Sequence, residues 1–137
     1  WANYVHNIEM IKNRLKETYG ADSVVSIYGK DSVDVRNKAV ESFQSDDRCR
    51  FLVGNPTVGG YGLTLTAAKY VIYFSNSYNL EVRQQSEDRA HRYGQTSQVT
   101  YIDLIATDTI DEMVLHNLDN KIELSAKTLG EQVEKWL

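Results

Sequence analysis

Two arginines and a glutamine stand at a spacing that could form an oxyanion site. In the stretch QSEDRAHRYGQ, which runs from Gln85 to Gln95, residues Gln85, Arg89 and Arg92 follow a Q-x-x-x-R-x-x-R pattern. At 100° per residue, the three side chains would lie within about 40° of one another on one helical face. Guanidinium groups are planar and permanently charged, so two of them aimed at one place suit the spread charge of a phosphoryl group in transfer.

The same arginines could instead belong to a solvated helix surface. Glu87 and Asp88 lie close enough in sequence to pair with them at i,i+3 or i,i+4 spacing, and surface ion pairs of this kind are common. Between Leu80 and Tyr93 only four residues are apolar, which is too few for a stripe that faces a core. The segment is therefore predicted to be an exposed helix or one that lines a polar cleft.

A glycine-rich segment, GNPTVGGYGLTLTAA, precedes the arginines and runs from Gly54 to Ala68. Such glycine density permits close backbone approach, and N–H groups leading into a helix could cradle a phosphate. A tight turn between a strand and a helix is the alternative. A Walker A loop is excluded, because the G-x-x-x-x-G count reaches Gly59 but Gly60 and Tyr61 stand where Lys and Ser/Thr belong.

Composition limits the classes of protein that this chain could be. Its 137 residues fit one domain, and 15 Lys and Arg against 19 Asp and Glu give a net charge of -4. Nucleic acid would therefore have to bind a local patch. Cys49 is the only cysteine and the three histidines are scattered, so neither a disulfide framework nor a metal site is expected, and a reducing, intracellular setting is the simpler inference. No signal peptide and no membrane-spanning run is predicted.

Hydrophobic periodicity predicts helices that alternate with strands. A first helix is expected between Asn3, as its cap, and Gly20; a second is capped by Asp31 or Ser32; a last one begins near Asp108. Strands are predicted at Ser23 to Tyr28, Phe51 to Gly54, Tyr70 to Phe74 (buried on both faces) and within Gln98 to Ala106. The helix residues expected to face the core are Val5, Ile8, Ile11, Leu15, Val35, Ala39, Val40, Phe43, Ile110, Val114, Leu118 and Ile122. This order predicts the α/β class, with a parallel sheet covered by helices on both faces.

Both unusual segments follow predicted strands, where ligands gather in open parallel sheets. The order of strand, GG-x-G-L-T-L-T-A-A, strand and Q-x-x-x-R-x-x-R with its trailing R-x-G-Q resembles motifs V and VI of superfamily 2 helicases, specifically the second RecA-like lobe of SWI/SNF-type DNA translocases. GLTLTAA and QSEDRAHRYGQTSQVTYIDLIATDTID look most similar to phage and bacterial members. Residues Trp1 to Tyr4 resemble motif IV more weakly. The resemblance runs nearly end to end.

This resemblance implies a RecA-like sheet of the P-loop NTPase type, a three-layer sandwich without the P-loop itself. In such helicases ATP with Mg²⁺ lies between two lobes, and the N-terminal lobe supplies the phosphate loop and the acidic Mg-binding motif. The second lobe would supply Arg89 and Arg92 as arginine fingers, with Arg92 the stronger candidate for the transferred phosphate. A finger stabilises charge on the transferred group, and its effect on the rate is about 10³- to 10⁵-fold.

The resemblance also assigns secondary contacts. Gln85 would hold the arginine register or contact nucleotide, and Asp88 could orient a guanidinium or simply be a helix charge. Gly60 and Gly62 would shape the loop at the nucleotide, and the hydroxyl of Thr64 would lie near ribose or phosphates, or cap a helix. Non-specific contacts with the backbone of double-stranded DNA would come from Gly29, Lys30, Asn55, Thr57 and Gly59.

Family members commonly begin this lobe with an apolar strand just before the position of Trp1. Residues 1–137 are therefore expected to lack that strand and the whole N-terminal lobe, to be inactive alone, and to expose a sheet edge that could pair with another copy. Thr57 and Thr64 differ from residues frequent in chromatin-remodelling members. The predicted function is the C-terminal lobe of an ATP-dependent DNA helicase or translocase; an RNA-tracking lobe and a degenerate, non-catalytic interaction module are the alternatives.

Overall fold

The structure is a computed structural model, and it describes residues 1–59 and 62–129. Helices and strands alternate along these ranges, which confirms the α/β class. The helices are α1 Val5–Tyr19, α2 Val33–Ser45, α3 Leu80–Glu87 and α4 Ile110–Leu129. The strands are β1 Val24–Ile27, β2 Phe51–Gly54, β3 Tyr70–Tyr73 and β4 Thr100–Asp103, and 3₁₀ turns occupy Ala21–Ser23 and Pro56–Gly59.

The described strands form two parallel pairs, not the single sheet that was predicted. Strand β1 pairs with β2, Val24 opposite Phe51, and β3 pairs with β4, Tyr70 opposite Thr100. Between the pairs lies the start of the chain, because Ala2 N–H donates to the Gly54 carbonyl at 3.0 Å and bonds from Trp1 reach β3. The pairs are therefore joined at one end by residues that no predicted strand included.

Strand β3 is not buried on both faces. Val71 and Tyr73 pack with Ala68 and Ala90 in a core cluster, whereas the alternate residues Tyr70 and Ile72 are 67% and 46% exposed. The described residues thus cover one face of this strand, which corrects the prediction. The alternation follows from the pleat, which sends successive side chains to opposite faces.

Some of the helix caps predicted from the sequence are confirmed by the structure, and one is wrong. Helix α1 begins after Tyr4 without a side-chain cap, so the assignment of Asn3 was wrong, but it ends at Gly20, which adopts φ +98°. Ser32 caps α2 by accepting a hydrogen bond from Val35 N–H at 3.3 Å. Of the two candidate caps, Ser32 is the one that the structure uses.

Among the described residues, three apolar clusters hold the helices against the strands. Ile8 of α1 packs with Val24 and Val53 in the first cluster, and Ala39 of α2 packs with Ile27 in the second. The third is the cluster under β3. On α4 the middle of the predicted stripe, Val114 and Leu118, is buried, whereas the predicted core residues Val5, Val35, Ile110 and Ile122 are exposed.

None of the helices in residues 1–59 and 62–129 combines the length and the apolar character that crossing a membrane requires.

Candidate functional site

The arginine segment is not one continuous helix. Helix α3 begins at an Asn79 cap, whose side chain accepts from Val82 N–H, and ends at Glu87, with Asp88 as its C-cap. Arg89 lies beyond that end, and its carbonyl accepts a hydrogen bond from Leu65 N–H at 2.8 Å instead of continuing the helical ladder. The prediction of one helical face for three residues was therefore wrong, because α3 ends at Glu87 and the Arg89 carbonyl bonds to the glycine-rich segment.

Arg89 is buried, with only 4% of its surface exposed. Its Nη1 donates to the Pro56 carbonyl at 2.9 Å, and its guanidinium carbon lies 5.5 Å from the centre of the Trp1 ring. Burial lowers the pKa of Arg89, although a guanidinium remains charged in proteins. The buried cation is held by a backbone carbonyl and an aromatic face, not by the acidic neighbours that the surface alternative required.

Arg92 is exposed and is fixed from one side. Its Nη1 donates to the Gly62 carbonyl at 3.1 Å and to the Thr64 hydroxyl at 3.2 Å. Within the described part of the chain, Nη1 is the guanidinium nitrogen of Arg92 that has partners, and the side chain is exposed. Gly62 adopts φ +64°, a left-handed conformation that disfavours a side chain.

The structure thus brings together two segments that are far apart in sequence. Arg89 contacts the 3₁₀ turn that follows β2, and Arg92 contacts the glycine-rich segment just beyond it. Three of the loop residues predicted to contact nucleotide or DNA lie here: Gly59 is the last residue of that turn, and Gly62 and Thr64 follow it. Gly60 lies outside the described residues. Gln95 reinforces the junction, because its side-chain amide donates to the carbonyls of Ala68 and Ala90, both at 3.1 Å.

Two predicted nucleotide residues are not brought to this junction. Gln85 is exposed on α3, and its Nε2 donates to Glu81 Oε1 at 3.0 Å along the same helix. Asp88 is exposed at the helix end, and its N–H donates to the Gln84 carbonyl at 2.9 Å. Among the described residues, no arginine contacts the Asp88 carboxylate.

The predicted DNA-contacting residues lie in loops after β1 and β2. Asn55 accepts hydrogen bonds from the N–H and the hydroxyl of Thr57, at 2.8 and 2.5 Å, and donates to the Asn3 carbonyl at 2.7 Å. Gly29 and Lys30 are exposed after β1. Since β1 and β2 are parallel neighbours, their following loops lie at one edge, with the Thr57 side chain exposed there.

One charged residue with a clear structural role was missed from the sequence. Arg83 of α3 donates from Nε to Glu87 at 2.6 Å and from both terminal nitrogens to Asp103 of β4, at 2.5 and 3.0 Å. It also stacks 3.6 Å from the centre of the Tyr73 ring. Burial alone would lower the pKa of Arg83, but the hydrogen bonds to Asp103 and Glu87 outweigh it and raise the pKa. The i,i+4 spacing of Arg83 and Glu87 was the available signal.

A second buried pair fixes α3 to β3. The Tyr73 hydroxyl and the Ser86 hydroxyl are 2.6 Å apart and both side chains are buried. Burial raises the pKa of Tyr73, so it remains a neutral phenol near neutral pH. Together with Arg83, this pair fixes the helix that leads into the arginines.

The chemistry of the junction is that of a donor site. The described residues contain no group of three His, Cys, Asp or Glu side chains that could hold a metal ion. What the junction offers is a guanidinium, a hydroxyl and glycine backbone, which fit the oxygens of a phosphate chain. These residues therefore fit ATP through its phosphates, whereas ligands for Mg²⁺ are not among the groups at this junction.

Residues 1–94 match the family described as the helicase conserved C-terminal domain. The chain belongs to this family. The prediction made from the two motifs is thereby confirmed, and the matched range includes the glycine-rich segment and both arginines.

Curated relatives come from bacteria and from eukaryotes. An uncharacterised ATP-dependent helicase of Mycoplasma genitalium is 39% identical over 77% of this chain and 10% of its own length. The human chromatin-remodelling ATPase INO80 is 36% identical over 82% of the chain and 7% of its length. The ATP-dependent helicase fft2 of Schizosaccharomyces pombe is 32% identical over 93% and 10%. The chain therefore spans about a tenth of these relatives or less.

A solved structure supports the same fold. The C-terminal part of the Fun30 ATPase domain superposes with a TM-score of 0.78 at 26% identity, over 85% of this chain and 37% of that one. The predicted likeness to the SWI/SNF-type helicases is thus matched by sequence relatives and by a solved fold. The particular closeness to phage and bacterial members stays a prediction, because human and bacterial relatives have similar identities.

Proposed function

We propose that this chain is the C-terminal lobe of an ATP-dependent DNA helicase or translocase and that Arg92 acts as its arginine finger. The observation that carries the proposal is the setting of Arg92, whose guanidinium is exposed and yet anchored through one nitrogen to Gly62 and Thr64. A guanidinium that is already fixed by hydrogen bonds on one side loses little side-chain entropy when it binds an oxyanion. The names of the relatives, ATP-dependent helicases and a chromatin-remodelling ATPase, support the same assignment.

In this proposal the lobe positions donors against a phosphate chain that a second lobe holds. ATP with Mg²⁺ would supply the phosphoryl group, and the Mg-binding and phosphate-loop residues would belong to an N-terminal RecA-like lobe. Arg92 would donate to the oxygens of the transferred group, where negative charge develops. Thr64 would keep that guanidinium aimed, and Gly62 would let the backbone approach closely. Alone, the lobe would not hydrolyse ATP.

Arg89 is proposed as the second arginine of the site, with one structural condition. Its guanidinium bonds to the Pro56 carbonyl in a buried position, so reaching a phosphate requires that bond to break. As long as Arg89 bonds to the Pro56 carbonyl, it fixes the 3₁₀ turn to the arginine segment, and this turn carries Thr57 and Gly59. Gln85 and Asp88 lie away from this junction, and their proposed roles require contacts that form on binding nucleotide or the second lobe.

Double-stranded DNA is the proposed track. The loops after β1 and β2 would place Gly29, Lys30, Thr57 and Gly59 at one edge, where backbone amides, a hydroxyl and one ammonium suit phosphates and read no sequence. Asn55 would act by holding the Thr57 loop in shape through its three hydrogen bonds. An RNA track uses the same contacts, and a degenerate interaction module would use none of the arginines.

The test is Arg92→Ala in a longer protein that contains the ATP-binding lobe, assayed with duplex DNA, single-stranded DNA and RNA. We expect kcat for ATP hydrolysis to fall by about 10³-fold or more, because the finger stabilises the transition state. Arg92→Lys should remain slow, since an ammonium lacks the planar fork. Duplex DNA should stimulate the unmodified protein most.

Arg14→Ala is the matched control, because Arg14 is an exposed arginine on α1 that pairs with the exposed Glu17. It should leave kcat unchanged. An unaltered kcat in Arg92→Ala would remove Arg92 from the mechanism. Stronger stimulation by RNA would favour the RNA-tracking alternative, and no hydrolysis by the unmodified protein would favour the interaction module.

A further inference from the structure

The end of the glycine-rich segment lies outside the regular elements of the fold. Residues 62–69 belong to neither a helix nor a strand. Ala68 N–H donates to the Leu65 carbonyl at 3.0 Å, and this bond closes a turn whose central residues are Thr66 and Ala67. The positions of these residues must therefore be fixed by contacts with other parts of the molecule.

Gln44, in the last turn of α2, supplies such a contact to both central residues of the turn. Its Oε1 accepts a hydrogen bond from Ala67 N–H at 2.7 Å, and its Nε2 donates to the Thr66 hydroxyl at 3.2 Å. The orientation of the amide follows from this pair, because a backbone N–H can only donate and so requires the carbonyl oxygen. One side chain thereby uses both of its polar groups to hold two neighbouring residues.

Helix α2 also contacts this segment three residues earlier. Leu63 is buried and belongs to the cluster that contains Ala39 of α2 and Ile27 of β1. Thr64 therefore lies between two attachments to the same helix, the apolar contact of Leu63 and the hydrogen bonds of Gln44. Side chains that packing and hydrogen bonds support from both sides keep one geometry better than side chains on a free loop.

The residues between the two attachments are the ones that bond to the arginine segment. The Thr64 hydroxyl accepts from Arg92 Nη1 at 3.2 Å, and Leu65 N–H donates to the Arg89 carbonyl at 2.8 Å. Gln44 is thus connected to the Arg92 guanidinium through one short turn of chain and one hydrogen bond. A contact made by α2 reaches the arginine that the proposed function uses.

We propose that Gln44 is a positioning residue for Arg92. By fixing the turn at Thr66 and Ala67, its amide sets where the Thr64 hydroxyl lies, and this hydroxyl sets the direction of the Arg92 guanidinium. The inference rests on the proposed function of Arg92 and extends it to a residue that lies outside both motifs. Gln44 itself contacts no phosphate, and it acts on the rate only through the arginine.

Loss of this support should affect the transition state more than the binding of ATP. An arginine finger acts on charge that develops on the transferred group, so a guanidinium that is fixed less well stabilises that charge less. A small misplacement of such a group lowers the rate strongly. A change that acts only in the transition state lowers kcat and leaves KM unchanged.

The test is Gln44→Met in the longer protein that contains the ATP-binding lobe. Methionine is also unbranched and favours helices, but it lacks the amide. We expect kcat for ATP hydrolysis to fall by about tenfold or more, with KM for ATP unchanged. Hydrogen exchange of a peptide that covers residues 63–69, followed by mass spectrometry, should accelerate by about tenfold or more. Gln44→Glu should keep most of the rate, because a carboxylate can accept from both the Ala67 N–H and the Thr66 hydroxyl.

Three further measurements separate this role from general damage to the fold. Thr66→Val removes one of the two hydrogen bonds and should give a smaller fall in kcat. Asn37→Ala replaces an exposed amide on the same helix and should leave kcat and the exchange of residues 63–69 unchanged. In a protein that already carries Arg92→Ala, Gln44→Met should lower kcat no further, because the two residues act through one contact.

Two results would overturn the inference while Arg92→Ala remains slow. Unaltered kcat in both Gln44→Met and Thr66→Val would show that the turn does not aim the arginine. An equal fall in kcat with and without Arg92 would show that Gln44 acts by another route. Failure of the proposed function is seen separately, as an unaltered kcat in Arg92→Ala alone, and it would overturn this inference as well.

Discussion

Arg89 and Arg92 show how burial divides two identical side chains. The family resemblance implied that both are arginine fingers, yet one guanidinium is buried against the Pro56 carbonyl and the other is exposed beside Gly62. The difference arises because the chain turns after α3, so that i,i+3 spacing no longer places both residues on one face. At the residue scale, environment and not residue type makes Arg92 the stronger candidate for contacting a phosphate.

Gly54 is a position with no room for a side chain. A Cβ at this position would lie 2.5 Å from Ile27 Cγ1 and 2.8 Å from the Ile27 carbonyl oxygen, and the carbonyl belongs to the paired strand β1. We expect Gly54→Ala to lower the free energy of unfolding by about 1–3 kcal/mol through overpacking. Urea denaturation followed by circular dichroism measures this change.

Gly29→Ala is the control for that substitution. Nothing lies within 4 Å of a Cβ at Gly29, so its effect should stay within about 0.5 kcal/mol. Equal stability of the two variants would mean that β1 and β2 separate easily at this end.

Helix α3 is held by side chains that the motif comparison did not single out. Arg83 bonds to Glu87 and Asp103, and Ser86 bonds to Tyr73, so both contacts fix this helix to β3 or β4. The arginine segment leaves the end of this helix. At the element scale, the placement of Arg92 therefore depends on contacts made one to three turns earlier.

Arg83→Ala should strongly destabilise the fold. Arg83 and Asp103 have side chains only 12% and 18% exposed, so removing the cation leaves a poorly solvated carboxylate. The free energy of unfolding should fall by roughly 3 kcal/mol. Hydrogen exchange of α3 amides should accelerate in parallel, because the helix loses its tie to β4.

The comparison for Arg83 is again Arg14→Ala, whose ion pair with Glu17 is exposed on both sides. Its cost should stay below about 1 kcal/mol. If Arg83→Ala proves equally mild, the Arg83 cluster does not hold α3.

The whole molecule, over its described residues, is two strand pairs joined through Trp1 and Ala2. Ala2 N–H donates to the Gly54 carbonyl of β2, and the Trp1 carbonyl accepts from Phe74 N–H just after β3. The Arg89 guanidinium lies 5.5 Å from the centre of the Trp1 ring, so the buried arginine lies at the same junction.

The α/β class, most element positions and the helicase family were readable from the sequence. Hydrophobic periodicity and helix capping depend on residues that are close together in sequence. The sequence therefore predicted the observed ends of β2, Gly20 as the end of α1, and Ser32 as one of two possible caps of α2. The two motifs identified the family because residue types and spacing recur whatever the chain packs against. What the sequence determined is therefore what depends on neighbours along the chain.

Tertiary packing alone decided the rest. The end of α3 depends on the bond from Leu65 to the Arg89 carbonyl, the burial of Arg89 depends on Pro56, and the exposure of Tyr70 depends on what covers β3. The link between the two strand pairs depends on Trp1 and Ala2, which bond to Ile72 and Gly54. Each is a contact between residues distant in sequence. A periodic pattern carries no information about which distant group will donate to a given carbonyl or pack on a given face.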